Sequence, residues 1–264
     1  MKLLSALGLI LTLGTAPVLA APCSNTSAGF DTWKADFARL AIRNGVGQAG
    51  LDALAQARYS TGTISADRNQ KSFKYSLEKF MQVRGATTIV SQGRKRLARD
   101  RAFYDALERI YGVPGGVLIA LHGMETGFGG FMGDTPVVSA IVTLAFDCRR
   151  SDFFTPHALS ALVLVDRGSI SGATKGAKHG ELGHTQFLPG NALRYGVDSD
   201  RNGRIDFYNL SDAMASTANF LAQKGWQRGA GFHDGQPNFR VIQEWNAASV
   251  YQKAIAIMAR QIQG

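Results

Sequence analysis

Residues 111–129 read Tyr111-Gly-Val-Pro-Gly-Gly-Val-Leu-Ile-Ala-Leu-His-Gly-Met-Glu-Thr-Gly-Phe-Gly129. Gly112 followed by Pro114 predicts the end of one helix and the immediate start of another. The new helix carries an acid, Glu125, on the same face as three apolar residues: Val117, Leu118 and Leu121. Glycines from position 127 onward end the helix. We therefore expect an inward-pointing carboxylate at a helix end, beside backbone that a ligand can approach.

The surroundings of Glu125 suit a general acid. A carboxyl group among apolar side chains is harder to ionise and can stay protonated near neutral pH. Glu125 is therefore a candidate catalytic residue. A glutamate that is capped or salt-bridged at a helix end gives the same pattern, so the residues alone leave both interpretations open.

Apolar residues recur at helical spacing along most of the chain. This periodicity predicts helices at four places: 31–41, 73–81, 87–111 and 250–262. Segments 136–146 and 157–165 are apolar on nearly all sides, which is typical of central helices. The chain is thus predicted to be mainly α.

The region between these helices differs in composition. Residues 168–190 are rich in glycine and lack periodicity, which predicts a long functional loop. Pro189, near its end, is suited to begin the next helix. A short ribbon is expected near residues 204–207.

The N-terminus has the order of a secretory signal: Lys2, an apolar stretch, then small residues up to Ala20. We therefore exclude residues 1–20 from the fold and expect export to the periplasm. The apolar stretch is too short for a membrane span. Pro22 precedes Cys23 where a lipidated cysteine would need a small residue, so a lipoprotein is not expected.

The chain of 264 residues contains two cysteines, Cys23 and Cys148. Exported proteins occupy an oxidising compartment in which two cysteines can pair. We predict a Cys23–Cys148 disulfide that ties the mature N-terminus to the main domain. The alternative is two unrelated free thiols.

The composition is basic. The formal charge of +9 falls to +8 when residues 1–20 are removed, because they contain one lysine and no acid. Such a charge favours a polyanionic partner. The densest basic run, at 94–101, follows a helical pattern and is typical of a solvated face, and export also argues against nucleic acid.

Residues 198–206 read Asp-Ser-Asp-Arg-Asn-Gly-Arg-Ile-Asp, which resembles the start of an EF-hand loop. Asp198, Asp200 and Asn202 occupy positions one, three and five, and glycine occupies position six. Position twelve is Asn209, where a bidentate glutamate is usual. The pattern favours Ca²⁺, with a metal-free turn as the alternative.

A zinc site is not expected. His179 and His184 flank Glu181, but they lack the helical spacing of zinc ligands and lie among glycines. No organic cofactor is expected either.

Several motifs together resemble the lytic transglycosylase B family in order and spacing. They are Tyr111–Pro114, Gly123–Gly129, Leu144–Phe154, Gly183–Pro189, Asp198–Asp212, Gly225-Trp226, Trp245-Asn246 and Tyr251. They cover most of the mature chain. The resemblance implies a lysozyme-like α-domain over residues 21–264, with a small EF-hand-like calcium-loop lobe at about 191–225.

The resemblance also implies a reaction. Members of the family cleave the MurNAc-β-1,4-GlcNAc bond of peptidoglycan without hydrolysis and leave a 1,6-anhydromuramoyl end. Glu125 is then the single catalytic acid and base, aided by the substrate's own N-acetyl group. Peptidoglycan carries free carboxylates, which suits a basic protein.

Further roles follow by position in the motifs. Gln186 and Phe187 match a pair beside the sugar, and Arg149 and Arg150 match a pair that can meet lactyl or peptide carboxylates. Asn246 and Tyr251 match the far wall of the cleft. Without the resemblance, the arginines are an ordinary surface pair and Phe187 is ordinary core packing.

The sequence departs from the family at two substrate-binding positions. Ala177 stands where some members have a serine near the catalytic acid, so no hydroxyl is available there. Phe220 stands where some have a tyrosine, which puts one polar contact in question.

The family's loop recruits an acid three residues beyond position twelve, here Asp212. The expected Ca²⁺ ligands are therefore Asp198, Asp200, Asn202, the Arg204 carbonyl and Asp212, in a structural rather than catalytic site.

Two other functions stay open. A hydrolytic muramidase needs a second carboxylate to activate water, for which Glu181 and Asp152 are candidates. A non-catalytic wall-binding protein is the other, although it has no need of Glu125. The sequence does not identify protein partners.

Overall fold

The computed structural model describes residues 22–69 and 74–264. The predicted signal peptide, residues 1–20, lies outside the described residues, as does Phe73 of the predicted 73–81 helix. In the first half of the described chain, the helices are α1 (Phe30–Arg43), α2 (Gln48–Gln56), α3 (Thr61–Arg68), α4 (Leu77–Val83), α5 (Ala86–Arg99), α6 (Arg101–Tyr111) and α7 (Gly115–Thr126).

The second half adds six helices and one small ribbon. The helices are α8 (Val137–Phe146), α9 (Ser151–Asp166), α10 (Pro189–Tyr195), α11 (Leu210–Gln223), α12 (Phe239–Trp245) and α13 (Ser249–Gln263). Strands β1 (Thr135–Pro136) and β2 (Lys175–Gly176) pair antiparallel. The predicted mainly α fold is confirmed.

Helix α7 lies in the core. Of its residues only Glu125 is not fully buried, because apolar side chains surround the helix. One apolar cluster joins α7 to α5, α11 and α13, and a second joins α1 and α2 to α8 and α9. The apolar segment 136–146 is thus in a buried helix, as predicted. Segment 157–165, in α9, is buried on one face only, through Ala158, Ala161, Leu162 and Leu164.

Helix α13 contacts α7 near both of its ends. Near the start of α7 the Gly116 N–H donates to Gln263 Oε1 at 2.8 Å. A Cβ at position 116 would lie 2.6 Å from the Ala259 carbonyl oxygen, so glycine permits this close approach. In the last turn of α7, Tyr251 contacts Glu125. The two helices therefore fix each other's position.

A disulfide joins Cys23 to Cys148, as predicted. Beside it, the Ser24 N–H donates to the Phe146 carbonyl oxygen at 3.0 Å, and Ser24 forms a parallel bridge with Asp147. The N-terminal part of the described chain is thereby fixed to the loop between α8 and α9.

Two predictions were wrong. The single helix over 87–111 is two helices, α5 and α6, separated at Asp100, whose backbone leaves helical geometry. Its carbonyl accepts from Phe103 and Tyr104 and so starts α6. Residues 204–207 form turns and no strand, because Asp206 N–H donates to the Asp212 carboxylate instead of to a neighbouring strand. The ribbon is at β1 and β2.

None of the described helices is long and apolar enough to cross a membrane.

Candidate active site

Glu125 lies in the last turn of α7. Gly127 follows it with a left-handed backbone (φ 58°), and its N–H donates to the Gly123 carbonyl oxygen at 3.0 Å. Such a residue ends a helix at low cost only when it is glycine. The Glu125 side chain is half-buried, in agreement with the inward orientation predicted from the apolar face.

Two hydrogen bonds hold the Glu125 carboxyl group. The Trp245 indole Nε1–H donates to Oε1 at 3.0 Å, and the Tyr251 hydroxyl donates to the same oxygen at 2.5 Å. Neither bond uses Oε2. The two donors therefore fix the carboxyl group through one oxygen and leave the other for a ligand.

Burial raises the pKa of Glu125 above its usual value. The hydrogen bonds from Tyr251 and Trp245 and the charge of Arg84 act in the opposite direction, and the negative charge of Glu181 raises the pKa further. A raised pKa lets the group hold a proton at higher pH than an ordinary glutamate does. This is the property that a general acid needs.

Two cavities meet at Glu125. The smaller, of about 190 Å³, is slightly more enclosed than the larger, of about 630 Å³, and they are called here the enclosed half and the open half. They have five lining residues in common: Glu125, Glu181, Leu188, Trp245 and Asn246. The open cavity also has Arg150, Phe153 and Tyr251 in its wall. We call the two together the cleft. Glu125 and Glu181 lie where its halves join.

A groove of about 1000 Å³ lies elsewhere, between α4, α5 and the C-terminal part of α13. It is lined largely by apolar atoms and does not contain Glu125. Gln261 in its wall is ten residues along α13 from Tyr251, which is about 15 Å in a helix. The groove is therefore separate from the cleft.

Of the two candidates for a second carboxylate, only Glu181 lines the cleft. Asp152 is exposed in the first turn of α9 and is not among the residues that line either half. Glu181 is held by its neighbour: Oε2 accepts from the His179 backbone N–H at 3.1 Å, and Oε1 lies 3.4 Å from His179 Nδ1.

The two arginines predicted to bind substrate both donate to Asp67 of α3. Asp67 is almost fully buried. Arg150 also lines the open half of the cleft and stacks on the Phe154 ring, with Cζ 4.7 Å from the ring centroid. Arg149 also donates to the Asp67 carbonyl oxygen at 2.9 Å and is not among the residues that line either half. Its contact with substrate stays a prediction.

The remaining predicted substrate contacts lie at the enclosed half. Gln186, Phe187, Phe220 and Asn246 all line it. Phe187 and Phe220 each pack edge-on against Trp245, with ring centroids 5.2 Å apart. Both phenylalanines are buried, so they belong to the core as well as to the wall. Gln186 donates from Nε2 to the Gly183 carbonyl oxygen at 2.7 Å.

Three residues of the site were not predicted from the sequence. Trp245 was noted only as part of a motif, although it binds the candidate acid directly. Asp67 lies 82 residues from Arg149 in sequence, and nothing local marks its role. Arg84 lines the open half, and its positive charge lowers the pKa of Glu125. Tyr251 was predicted as a substrate contact, whereas the structure places its hydroxyl on the acid.

Behind the acid lies a pair of histidines. His122 Nε2 and His184 Nδ1 are 3.0 Å apart, and the Thr126 hydroxyl donates to the His184 carbonyl oxygen at 2.7 Å. Burial lowers the pKa of His122 to about 3 and lowers that of His184. The neutral pair joins α7 to the loop that carries Gln186. The described residues bring together no group of histidines suited to zinc.

The predicted calcium ligands converge in part. Oxygen atoms of Asp198, Asp200 and Asp212 lie within 4.8 Å of one another, which fits Ca²⁺–oxygen distances of about 2.3–2.6 Å. Among the residues described, no ion pair joins any of these carboxylates to lysine or arginine. Asn202 Oδ1 accepts from the Arg204 N–H at 2.9 Å. The three acids therefore fit a hard cation.

A mainly helical domain that presents a half-buried glutamic acid of raised pKa to a cleft has the features expected of a lysozyme-like acid–base site. The chain belongs to the family described as "Transglycosylase SLT domain", whose sequence profile matches residues 29–234. The expected family is confirmed.

Known relatives agree with this assignment. Membrane-bound lytic murein transglycosylase B of Escherichia coli (strain K12) is 33% identical over 132 residues, which is 48% of this chain. The match spans 37% of the length of that relative.

Solved structures are similar as well. SltB3 from Pseudomonas aeruginosa in complex with NAG-anhNAM-pentapeptide has a TM-score of 0.81 and 26% identity, covering 89% of this chain and 80% of SltB3. The Escherichia coli lytic transglycosylase Slt35 in complex with calcium has a TM-score of 0.74 and 20% identity, covering 94% of this chain and 97% of Slt35.

Proposed function

We propose that the protein is a lytic transglycosylase that cleaves the MurNAc-β-1,4-GlcNAc bond of peptidoglycan and forms 1,6-anhydromuramoyl ends. The observation that carries this proposal is the half-buried Glu125, whose carboxyl group is held through one oxygen at the junction of the two cleft halves. The complex of the relative SltB3 with NAG-anhNAM-pentapeptide supports the same product class.

In the proposed reaction Glu125 is first an acid and then a base. Its proton passes to the glycosidic oxygen as the bond to the anomeric carbon breaks, and the substrate's acetamido oxygen stabilises the cationic centre. The ionised Glu125 then takes the proton of the C6 hydroxyl, whose oxygen bonds to the anomeric carbon. The Tyr251 and Trp245 donors stabilise the carboxylate between these two steps.

The cleft walls receive the glycan. We assign Gln186, Phe187, Phe220 and Asn246 to sugar contacts in the enclosed half. Arg150 in the open half meets lactyl or peptide carboxylates. Arg149 supports it through Asp67, because the two guanidinium groups share that carboxylate.

We propose that the loop at 198–212 holds a structural Ca²⁺. The ligands are Asp198, Asp200, Asn202, the Arg204 carbonyl and Asp212, and the lobe over about 191–225 is ordered by them. The relative Slt35 was solved in complex with calcium, which supports this proposal. The ion offsets two of the three carboxylate charges and takes no part in the reaction.

The proposed location is the periplasm. Residues 1–20 have the composition of an export signal, and peptidoglycan is found outside the cytoplasm. We assign residues 21–264 to the catalytic domain.

Mass spectrometry of purified sacculi digested with the protein tests the proposal. We expect muropeptides lighter by one water than the reducing-end products of a hydrolase, because the C6 hydroxyl replaces water as the nucleophile. Products with only reducing ends would identify a hydrolytic muramidase and refute the transglycosylase. Intact sacculi after long incubation would point to a wall-binding protein.

A further inference from the structure

The cleft contains a second carboxylate for which the proposed reaction, as described so far, has no role. Glu181 lines both halves of the cleft, as Glu125 does. Its negative charge is close enough to Glu125 to raise the pKa of that residue. Glu181 therefore lies at the same junction of the two cleft halves as the proposed acid.

The backbone around Glu181 is closely packed. Its carbonyl oxygen accepts from the Ala177 N–H at 3.0 Å. A Cβ added at Gly176 would lie only 2.1 Å from the same oxygen. On the other side, Leu182 and Phe187 exchange two backbone hydrogen bonds. Glu181 is therefore presented from a fixed segment between β2 and the Gln186 motif.

The side chain is also oriented. His179 contacts both oxygens of Glu181, through its backbone N–H and through Nδ1, and its Nε2 lies 3.8 Å from Asp67. Asp67 in turn holds Arg150. A carboxylate offers about four acceptor positions. The contacts with His179 use two of them, so acceptor positions remain for a ligand in the cleft.

Resting on the proposed function, we propose that Glu181 accepts a hydrogen bond from the N–H of the acetamido group on the sugar whose anomeric carbon reacts. The bond turns the acetamido oxygen toward that carbon. Ala177, on the same segment, has no polar side-chain atom that could replace Glu181 in this task.

The chemistry of the step explains why a carboxylate is suited to this place. As the glycosidic bond breaks, the acetamido oxygen forms a bond to the anomeric carbon, and the Glu125 proton moves to the leaving oxygen. Positive charge then spreads onto the acetamido nitrogen. A fixed negative group beside that N–H stabilises the charge as it develops. The C6 oxygen next displaces the acetamido oxygen, the Glu125 carboxylate takes the C6 hydroxyl proton, and the acetamido group returns to neutrality.

Glu181 also acts on the acid itself. A nearby negative charge disfavours ionisation of a carboxyl group, so Glu181 raises the pKa of Glu125 and helps to keep its proton in place until substrate is bound. The charge of Arg84 in the same wall acts in the opposite direction.

The test compares Glu181→Gln with a matched control, Asp152→Asn, which alters an exposed acid outside the cleft. Steady-state kinetics on soluble glycan strands gives kcat and KM, and thermal melting confirms folding. Kinetics and melting are the first two readouts. The third is the affinity for the 1,2-thiazoline of MurNAc, which mimics the bicyclic cation formed when the acetamido oxygen bonds to the anomeric carbon. Glu181→Ala is the second variant, because it removes the acceptor without adding an amide N–H.

We expect Glu181→Gln to lower kcat about a hundredfold with KM changed less than threefold, and to weaken thiazoline binding at least about tenfold. Asp152→Asn should match the wild type in its kinetic constants, melting temperature and thiazoline affinity. Wild-type kcat and thiazoline affinity in both Glu181 variants would overturn the proposal. Loss of reducing-end products alone, with anhydro products formed at the normal rate, would instead make Glu181 a water-activating base. Failure of the proposed transglycosylase function would be recognised separately, because the wild-type protein itself would then give no anhydro ends.

Discussion

The Tyr251 hydroxyl, in the first turn of α13, donates to Glu125 Oε1 in the last turn of α7 across 2.5 Å. Burial and the Glu125 charge raise the pKa of Tyr251 well above its usual value. The tyrosine is therefore a permanent donor, and it acts on the proton affinity and position of the acid.

Replacing Tyr251 by phenylalanine removes this donor and keeps the ring. The pKa of Glu125 should rise, because a hydrogen bond to the carboxylate form is lost. We expect kcat to fall about tenfold and the basic limb of the pH–rate profile to move to higher pH. Tyr104→Phe, which alters a buried tyrosine outside the cleft, should leave the profile in place. An unchanged basic limb in Tyr251→Phe would contradict the role assigned to the hydroxyl.

Glu125→Gln keeps the size of the side chain but removes the transferable proton. Turnover of sacculi should fall at least about a hundredfold, while the melting temperature and glycan binding stay near the wild-type values. Glu78→Gln, an exposed change on α4, is the control and should be fully active. Near-normal turnover in Glu125→Gln would refute the assignment of the acid.

Calcium should raise the melting temperature by binding the folded state. Above the Kd, each tenfold increase in free Ca²⁺ adds about 1.4 kcal/mol to the free energy of unfolding. Asp198→Ala should abolish the rise, and Asp52→Asn, on α2 outside the loop, should preserve it. If Ca²⁺ leaves the melting temperature of the wild type unchanged over a wide concentration range, the loop is an ordinary turn.

The disulfide closes a loop of 125 residues. Thiol labelling of denatured protein from the exported compartment should find no free cysteine. Reduction, or Cys23→Ser with Cys148→Ser, should lower the free energy of unfolding by about 2–4 kcal/mol, chiefly because the unfolded chain gains freedom. Full labelling of both cysteines without reductant would show that the bond does not form.

The histidine pair behind the acid predicts acid sensitivity. The pKa of His122 in the folded state, about 3, lies below the value near 6.5 of an unfolded chain. The unfolded chain therefore binds more protons between these values. The free energy of unfolding is therefore highest above about pH 6.5. It decreases by up to about 1.4 kcal/mol per pH unit as the pH falls toward 3.

Chemical denaturation at several pH values checks this prediction. His122→Gln should show a shallower decline of the free energy of unfolding between pH 6.5 and 4 than the wild type. His233→Gln, outside the buried pair, should keep the wild-type slope. Equal slopes in all three proteins would show that His122 is not the source of the acid sensitivity.

Features of α7 that depend on residues close together in the sequence were predicted correctly. Helix α7 and the inward orientation of Glu125 follow from apolar spacing and from Gly112, Pro114 and Gly127, all within a few turns of one helix. The break at Asp100 was not predicted, because the apolar spacing continues across it.

Apart from the disulfide, the contacts between distant residues that build the site were not predicted from the sequence. Trp245 and Tyr251 lie 120 and 126 residues from the acid. Trp245 ends α12 and Tyr251 lies at the start of α13, so only the packing of these two helices brings them to Glu125. Asp67 was missed for the same reason: a buried aspartate in an ordinary helix is recognised only when its arginine partners are seen.

The contact of α13 with both ends of α7 has a consequence for the order of biosynthesis. Glu125 leaves the ribosome 120 residues before Trp245, an interval of roughly 6–24 s at about 5–20 residues per second. Throughout that interval the nascent chain contains the acid but neither of its donors, and the Gln263 contact with Gly116 forms later still. Glu125 is therefore synthesised early, whereas the residues that hold its carboxyl group are synthesised only near the end of translation.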